Sequence, residues 1–442
     1  MGSFLREPVR RPFRPSFRQT GTVVTEHRFP VPLDHDDPDG PRIEVFAREV
    51  VATAHAGRDD LPWLLFLQGG PGYGAQRPSG REGWLDRALS DYRVLLLDQR
   101  GTGLSTPVSA RRLAELGGPA EQARYLTRFR ADSIVLDAEL IRRELLGGTP
   151  WTILGQSYGG FCVNTYLSFA PDGVREALVT GGTPGLTATA EDVYRRTYPR
   201  VAAKNAAFYE RYPDDIDLVR DIARRVADHD ERLPNGRRLT VEGFQSLGLM
   251  LGMGDGADRM HYLLELAFAD GGPELSEVFL EQVGTHLSHT AAPIHLVLHE
   301  PIYAQGATPT GWAAQRLRAE FPEFAPDPDG RDPLLFTGEM IYPWMVADDP
   351  SLAPLREAAD LLAEHDDWSA LYDPARLRGN DVPVSAAVYH DDMYVDFELS
   401  METVQSVGNA RAWVTNEWEH DGLRVSGGQV LDRLIRMSRG EA

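Results

Sequence analysis

Ser157 stands at the centre of Gly155-Gln156-Ser157-Tyr158-Gly159, the one G-x-S-x-G pattern in the chain. A serine hydroxyl is a weak nucleophile until a neighbouring base takes its proton. The pattern can present it on a sharp strand-to-helix bend, with glycines where side chains would strike the adjoining strand and helix. Without that setting, the same residues are an ordinary glycine turn with a solvated serine.

A base and a group to orient it must come from elsewhere. Glu419-His420-Asp421-Gly422 offers an imidazole, and Asp391 and Asp392 offer a carboxylate. Both follow short apolar runs, and open α/β sheets place their sites just beyond strand ends. The order serine, acid, histidine is that of one fold class of hydrolases. A lone histidine is more often structural, and the chain has 12, so position is what singles out His420.

Gln68-Gly69-Gly70-Pro71-Gly72 follows another apolar run. A glycine-rich turn there can aim backbone N–H groups into a cleft before charge develops, as an oxyanion hole requires. The expected donors are the N–H groups near Gly70 and of Tyr158. No Gly-Lys-Ser/Thr follows, which excludes a phosphate loop. Asp98-Gln99-Arg100-Gly101-Thr102-Gly103 does not complete G-x-G-x-x-G, so it reads as a loop bracing the site wall rather than a dinucleotide fingerprint.

These residues need a scaffold. Residues 22 to 51 read as a hairpin about a turn-rich Asp34-His35-Asp36-Asp37-Pro38-Asp39-Gly40. That turn fails as a calcium loop because Pro38 occupies a ligand position and Asp39 the glycine position. Trp63–Leu67, Arg93–Leu97, Trp151–Leu154 and Ala177–Val179 have the form of buried parallel strands. Between the second and third, Ile134, Ala138, Ile141 and Leu145 fall on one face of a helix over 132–146. Strand, helix, strand at this spacing makes βαβ units. Residues 186–378 read as mostly helical, strands return at Val384–Tyr389 and Ala410–Thr415, and Gln429–Met437 closes as an amphipathic helix. The expected division is an N-terminal arm over 1–21, a catalytic α/β core over 22–185 and 379–442, and a helical cap over 186–378.

The charge balance narrows the partners. With 66 acidic and 45 basic residues the net charge is −21. A nucleic-acid binder needs a basic footprint, and an anionic membrane attracts basic segments, so neither is expected. One cysteine, Cys162, excludes an intrachain disulfide framework and a cysteine-rich zinc module. Five arginines in the first 18 residues are followed by no apolar stretch of the secretory kind, so the expected compartment is the cytoplasm.

Together the glycine loop at 68–72, Asp98-Gln99-Arg100-Gly101-Thr102-Gly103-Leu104-Ser105, the Ser157 motif, the Asp391–Asp392 loop and the His420 segment resemble the proline iminopeptidase (prolyl aminopeptidase) family, in its longer bacterial branch. The resemblance spans most of residues 22 to 435. It implies an α/β-hydrolase fold with a large helical cap, no cofactor and no metal. It implies Ser157 as nucleophile, His420 as base and Asp392 as acid, with Asp391 second choice. The substrates implied are peptides with a free N-terminal proline, whose amino group family members bind with glutamates of the cap. His299-Glu300-Pro301-Ile302-Tyr303 and Thr337-Gly338-Glu339-Met340-Ile341-Tyr342-Pro343-Trp344 match that role, so it carries over to Glu300 and Glu339. The alternative is that each caps or braces a cap helix. Tyr303, Tyr342 and Trp344 either line a flat pocket for the pyrrolidine ring or fill the cap core. Gln68 and Tyr158 depart from the shorter branch, which has histidine and tryptophan there, but the expected donors at these places are backbone atoms.

Three rivals remain on sequence grounds. A serine esterase or lipase would share the fold and the triad. A metal-dependent hydrolase would use the crowd of His286, His289, His295 and His299, although H-E-x-x-H is absent. A non-catalytic binding protein has no need of a nucleophile, acid and base in order.

Overall fold

The computed structural model describes residues 16–441. One nine-stranded sheet runs through the molecule, and its strands are β1 (Ser16–Gln19), β2 (Thr22–Pro32), β3 (Arg42–Ala52), β4 (Trp63–Leu67), β5 (Arg93–Asp98), β6 (Trp151–Gln156), β7 (Val174–Thr180), β8 (Val384–Tyr389) and β9 (Ala410–Thr415). Their spatial order is β1-β2-β3-β5-β4-β6-β7-β8-β9. The first four in that order pair antiparallel, and from β5 onward every pairing is parallel.

The expected hairpin forms, with Pro32 opposite Arg42 and Thr22 opposite Ala52. Its connection, over 33–41, is a loop closed at its base where the Leu33 N–H reaches the Pro41 carbonyl at 2.8 Å. Residues 16–19, assigned to the arm, pair with β2 and form the sheet edge. The strand signal was missed there because Ser16, Phe17, Arg18 and Gln19 show only partial burial and no apolar alternation. Residues 1–15 of the arm lie outside the described residues.

The central strands are apolar without a break because both sheet faces are covered. Leu65, Leu67, Leu95, Leu97, Ile153, Ala177 and Val179 point to one core, which the Ala131–Leu146 and Tyr158–Phe169 helices share. Leu64, Phe66, Val94, Leu96, Leu154 and Leu178 point to the other, against the closing helix Gln429–Ser438. Alternate residues of each strand thus serve opposite layers, as the period of two demands.

Between β7 and β8 the described chain is helical and contributes no strand to the sheet. Its largest element, Ala190–Arg211, begins with a capping box in which Thr189 and Asp192 satisfy each other's backbone N–H groups. Buried side chains of this region, Tyr198, Phe208, Phe244 and Phe336 among them, join the same apolar cluster as the first sheet face. Among the described residues no helix is long and apolar enough to cross a membrane.

Candidate active site

Ser157 follows β6 directly and opens the Tyr158–Phe169 helix with φ 54° and ψ −126°. A non-glycine residue at positive φ is strained and persists only where its surroundings enforce it. Close backbone approach supplies that enforcement. A β-carbon on Gly159 would stand 1.9 Å from the Leu67 carbonyl oxygen, and one on Gly182 would stand 2.2 Å from that of Ser157. The glycines of the motif are therefore required by the crossing of β4, β6 and the loop after β7. Ser157 itself remains partly exposed.

The loop after β4 passes beside the serine. A β-carbon on Gly69 would meet the Ser157 β-carbon at 2.9 Å. Gln99 secures the loop by donating from Nε2 to the Gln68 carbonyl at 3.0 Å. Asp98 secures the next turn, accepting from the Ala75 N–H at 2.9 Å, the Leu104 N–H at 2.8 Å and the Arg77 guanidinium at 2.7 and 2.6 Å. The bracing role expected for this segment is what the structure contains. Gly70 and Tyr158, the expected oxyanion donors, flank the serine in the loop and in the first helical residue. Tyr158 has no carbonyl four residues back within its helix, so its N–H belongs to the unpaired first turn.

His420 Nδ1 lies 2.7 Å from Asp392 Oδ2. The Asp392 Oδ1 accepts from the Tyr394 N–H at 2.8 Å and the Val395 N–H at 3.1 Å. Asp391, its neighbour, is 53% exposed and pairs with His390 instead. Burial alone would lower the basicity of His420, but the charge and hydrogen bond of Asp392, together with the Glu339 and Asp421 charges, outweigh it and hold the imidazole above its ordinary range. Sequence reasoning missed Gly181-Gly182, the diglycine that ends β7. A β-carbon on Gly181 would lie 3.2 Å from His420 Nδ1 and one on Gly182 2.2 Å from the Ser157 carbonyl oxygen, so the pair of glycines admits the histidine and the serine turn at adjacent positions. Two adjacent glycines at a strand end were the available signal.

The two cap glutamates separate in role. Glu300 is 2% exposed, and its oxygens accept from the Ala313 and Ala314 N–H groups, both at 3.0 Å. The Ala313–Leu317 helix has no side-chain cap from Trp312, and Glu300 supplies the missing acceptor. Both oxygens are engaged by backbone donors, which is the bracing arrangement that the sequence left open beside the ammonium-binding role. Burial pushes its carboxyl up to about 7 against those N–H groups.

Glu339 is the opposite case. It is 20% exposed, and no hydrogen bond reaches its carboxylate among the described residues. Burial, opposed by His420 and reinforced by the Asp392 charge, pushes it up to about 8. The Glu339 charge in turn helps raise the hydroxyls of Tyr73, Tyr303 and Tyr394, which marks the tyrosines that surround it. His299 Nε2 stands 3.9 Å from its Oε2.

The aromatic candidates divide likewise. Tyr303 is partly exposed and packs edge-on to Phe161, with ring centroids 5.7 Å apart. Tyr342 is wholly buried, its hydroxyl 2.9 Å from that of Tyr198, so it is cap core rather than pocket wall. Trp344 is partly buried, stacks on Tyr342 at 5.4 Å and lies 5.8 Å from the Arg237 guanidinium. Of the histidine crowd, His295 and His299 adjoin Glu339, whereas His289 stacks on His295.

Comparison with known proteins agrees with this architecture. The α/β hydrolase fold family matches residues 62–253. A proline iminopeptidase of Aeromonas sobria is 53% identical over 95% of this chain and 97% of its own. A proline iminopeptidase of Aspergillus aculeatus is 36% identical over 94% of this chain and 93% of its own. Sequence identity of that degree across almost the whole of both chains means that the protein belongs to the proline iminopeptidase family of α/β-hydrolases.

Proposed function

We propose that the protein is a serine aminopeptidase that releases an N-terminal residue, proline above all, from peptides. The observation that carries this reading is Glu339, which has no hydrogen-bond partner among the described residues and lies within Coulombic reach of the His420–Asp392 pair. Its carboxyl, pushed up to about 8, holds a proton unless a cation lies against it, so the site is complementary to a cation. A peptide with a free N-terminal proline brings one, its secondary ammonium.

In the proposed reaction Ser157 Oγ attacks the carbonyl of the N-terminal residue while His420 takes the hydroxyl proton. Asp392 holds the imidazole with Nδ1–H toward itself and stabilises the imidazolium. The Gly70 and Tyr158 N–H groups receive the developing oxyanion, where loss of one donor typically costs about 10²–10³ in rate. His420 then gives its proton to the leaving amine. Water, activated by the same imidazole, hydrolyses the acyl-enzyme and frees proline. Glu339 pairs with the substrate ammonium and Tyr303 offers an aromatic wall. An internal peptide bond would set an uncharged amide against the carboxylate, which is how an exopeptidase rejects it. Residues 186–378 act as the cap that carries Glu339 and Tyr303 over the serine.

An esterase of the same fold would use the same triad. Glu339 argues against it, because a simple acyl ester has no cation to neutralise the carboxylate. The deciding experiment compares a proline amide, its N-acylated form and a short acyl ester, each with wild type and Ser157→Ala. Cleavage of the free amide alone, lost in the variant, is the expected result. Preference for the ester or the acylated amide would overturn the reading.

A further inference from the structure

His295 and His299 are 3% and 2% exposed, and they lie where the cap meets the loop after β4. A β-carbon on Gly72 would stand 2.7 Å from the His295 backbone nitrogen, so this loop and the histidine segment are in direct contact. Polar atoms buried this deeply almost always have partners. Here they do not. Among the described residues, both ring nitrogens of His295 and the Nδ1 of His299 lack a well-formed hydrogen bond, the nearest acceptor to the His295 ring being the weakly placed Pro71 carbonyl. The two rings meet edge to face with centroids 5.2 Å apart. Glu339 completes the group, and one donor atom from each of the three residues lies within 4.8 Å of the others.

From this geometry we infer that His295, His299 and Glu339 form a binding site for a first-row divalent cation, zinc in particular, which competes with the substrate's ammonium for Glu339. Two imidazoles and one carboxylate are the ligand types of open zinc sites, with a fourth position left for water. Metal binding requires neutral imidazole. Burial keeps both rings in that form, pushing His299 down to about 3. Ligands on a tetrahedral zinc stand about 2.0–2.2 Å from the metal, so the group must draw in by about 1 Å. Glu339 is the one of the three with solvent exposure and no hydrogen bond to break, so it is the member free to move. The cation would then neutralise the carboxylate that the substrate's amino end needs. The site is inhibitory, and it takes no part in the chemical step.

The competition half of this inference rests on the role proposed above for Glu339, while the binding half does not. The test therefore reads binding and kinetics separately. Chelator-stripped protein is equilibrated with zinc chloride by dialysis, and bound metal is counted. One zinc per chain is expected in wild type, with at least tenfold weaker binding in His295→Gln and in Glu339→Gln. His295→Gln assayed in chelator should keep wild-type proline-amide cleavage within about threefold, which establishes that it is folded. Zinc should raise the KM of wild type for the proline amide without lowering kcat, and chelator should restore it. Substoichiometric zinc, equal binding by His295→Gln, or a fall in kcat at unchanged KM would overturn the inference. Metal-free enzyme that fails to cleave the amide would count against the peptidase reading, while the dialysis result would still decide whether the cation site exists.

Discussion

His420 Nδ1 and Asp392 Oδ2 are 2.7 Å apart, and the second oxygen of Asp392 is fixed by two backbone N–H groups. The carboxylate is therefore oriented before any substrate arrives. Burial acts most strongly and lowers the imidazole's basicity, but the Asp392 charge and hydrogen bond, with the charges of Glu339 and Asp421, together raise it by more. A base must be unprotonated, so activity should fall on the acid side through a value above that of an ordinary histidine. Asp392→Asn removes the charge that raises it. The acid limb of kcat/KM should move to lower pH, and kcat should fall by about 10⁴, because the wrong tautomer is favoured. Asp391→Asn should leave both within about threefold, since Asp391 is solvated and faces His390. A pH profile of the three proteins settles the matter, and an unmoved limb in Asp392→Asn would remove the aspartate from the role.

Glu339→Gln keeps the shape of the side chain and deletes its charge. A hydrogen bond to a charged partner is worth about 1.5–3 kcal/mol, so KM for a proline amide should rise about 10- to 100-fold. Hydrolysis of a short acyl ester should change little. Equal losses on both substrates would mean that Glu339 supports the triad rather than the amino end.

Glu300 should behave in the contrary way. Its oxygens bond the Ala313 and Ala314 N–H groups. Glu300→Ala leaves two buried donors without acceptors, each costing about 1–3 kcal/mol. The melting temperature should fall by several degrees, and amide and ester hydrolysis should decline together as the folded fraction declines. A selective rise in KM for the amide at unchanged melting temperature would return Glu300 to the recognition role.

The difference between these two glutamates marks how far the sequence could be read. The strands were legible because burial on both faces leaves continuous apolar runs such as Trp63–Leu67, and the elbow was legible because backbone crossing demands glycine at fixed positions. Asp392 over Asp391 was legible only through family resemblance, since the two are adjacent and chemically alike. Glu300 and Glu339 sit in equally suggestive motifs. Which one is engaged depends on whether a distant helix presents its N–H groups, and the Ala313–Leu317 helix leaves no mark in residues 299–303. The His295–His299–Glu339 group was half legible. The histidine spacing was visible, but its third member is 40 positions away along the chain from the nearer histidine.

Gly182 offers the sharpest test of how the scaffold holds the nucleophile. A β-carbon there would fall 2.2 Å from the Ser157 carbonyl oxygen, a distance that no side-chain rotation relieves, because the atom struck is backbone. Gly182→Ala must therefore push the serine turn away from the loop after β7. His420 Nδ1 lies against the adjacent Gly181, so displacing the serine turn alters its placement relative to the base. A shift of about 1 Å in a reacting group can cost about 10² in rate. The variant should lose at least that in kcat on amide and ester alike, with KM nearly unchanged. Gly57→Ala is the matched control, since Gly57, like Gly182, lies outside the left-handed region but has open space around it. If both variants lose stability equally and neither loses kcat once folded, the close approach at Gly182 has no part in setting the serine.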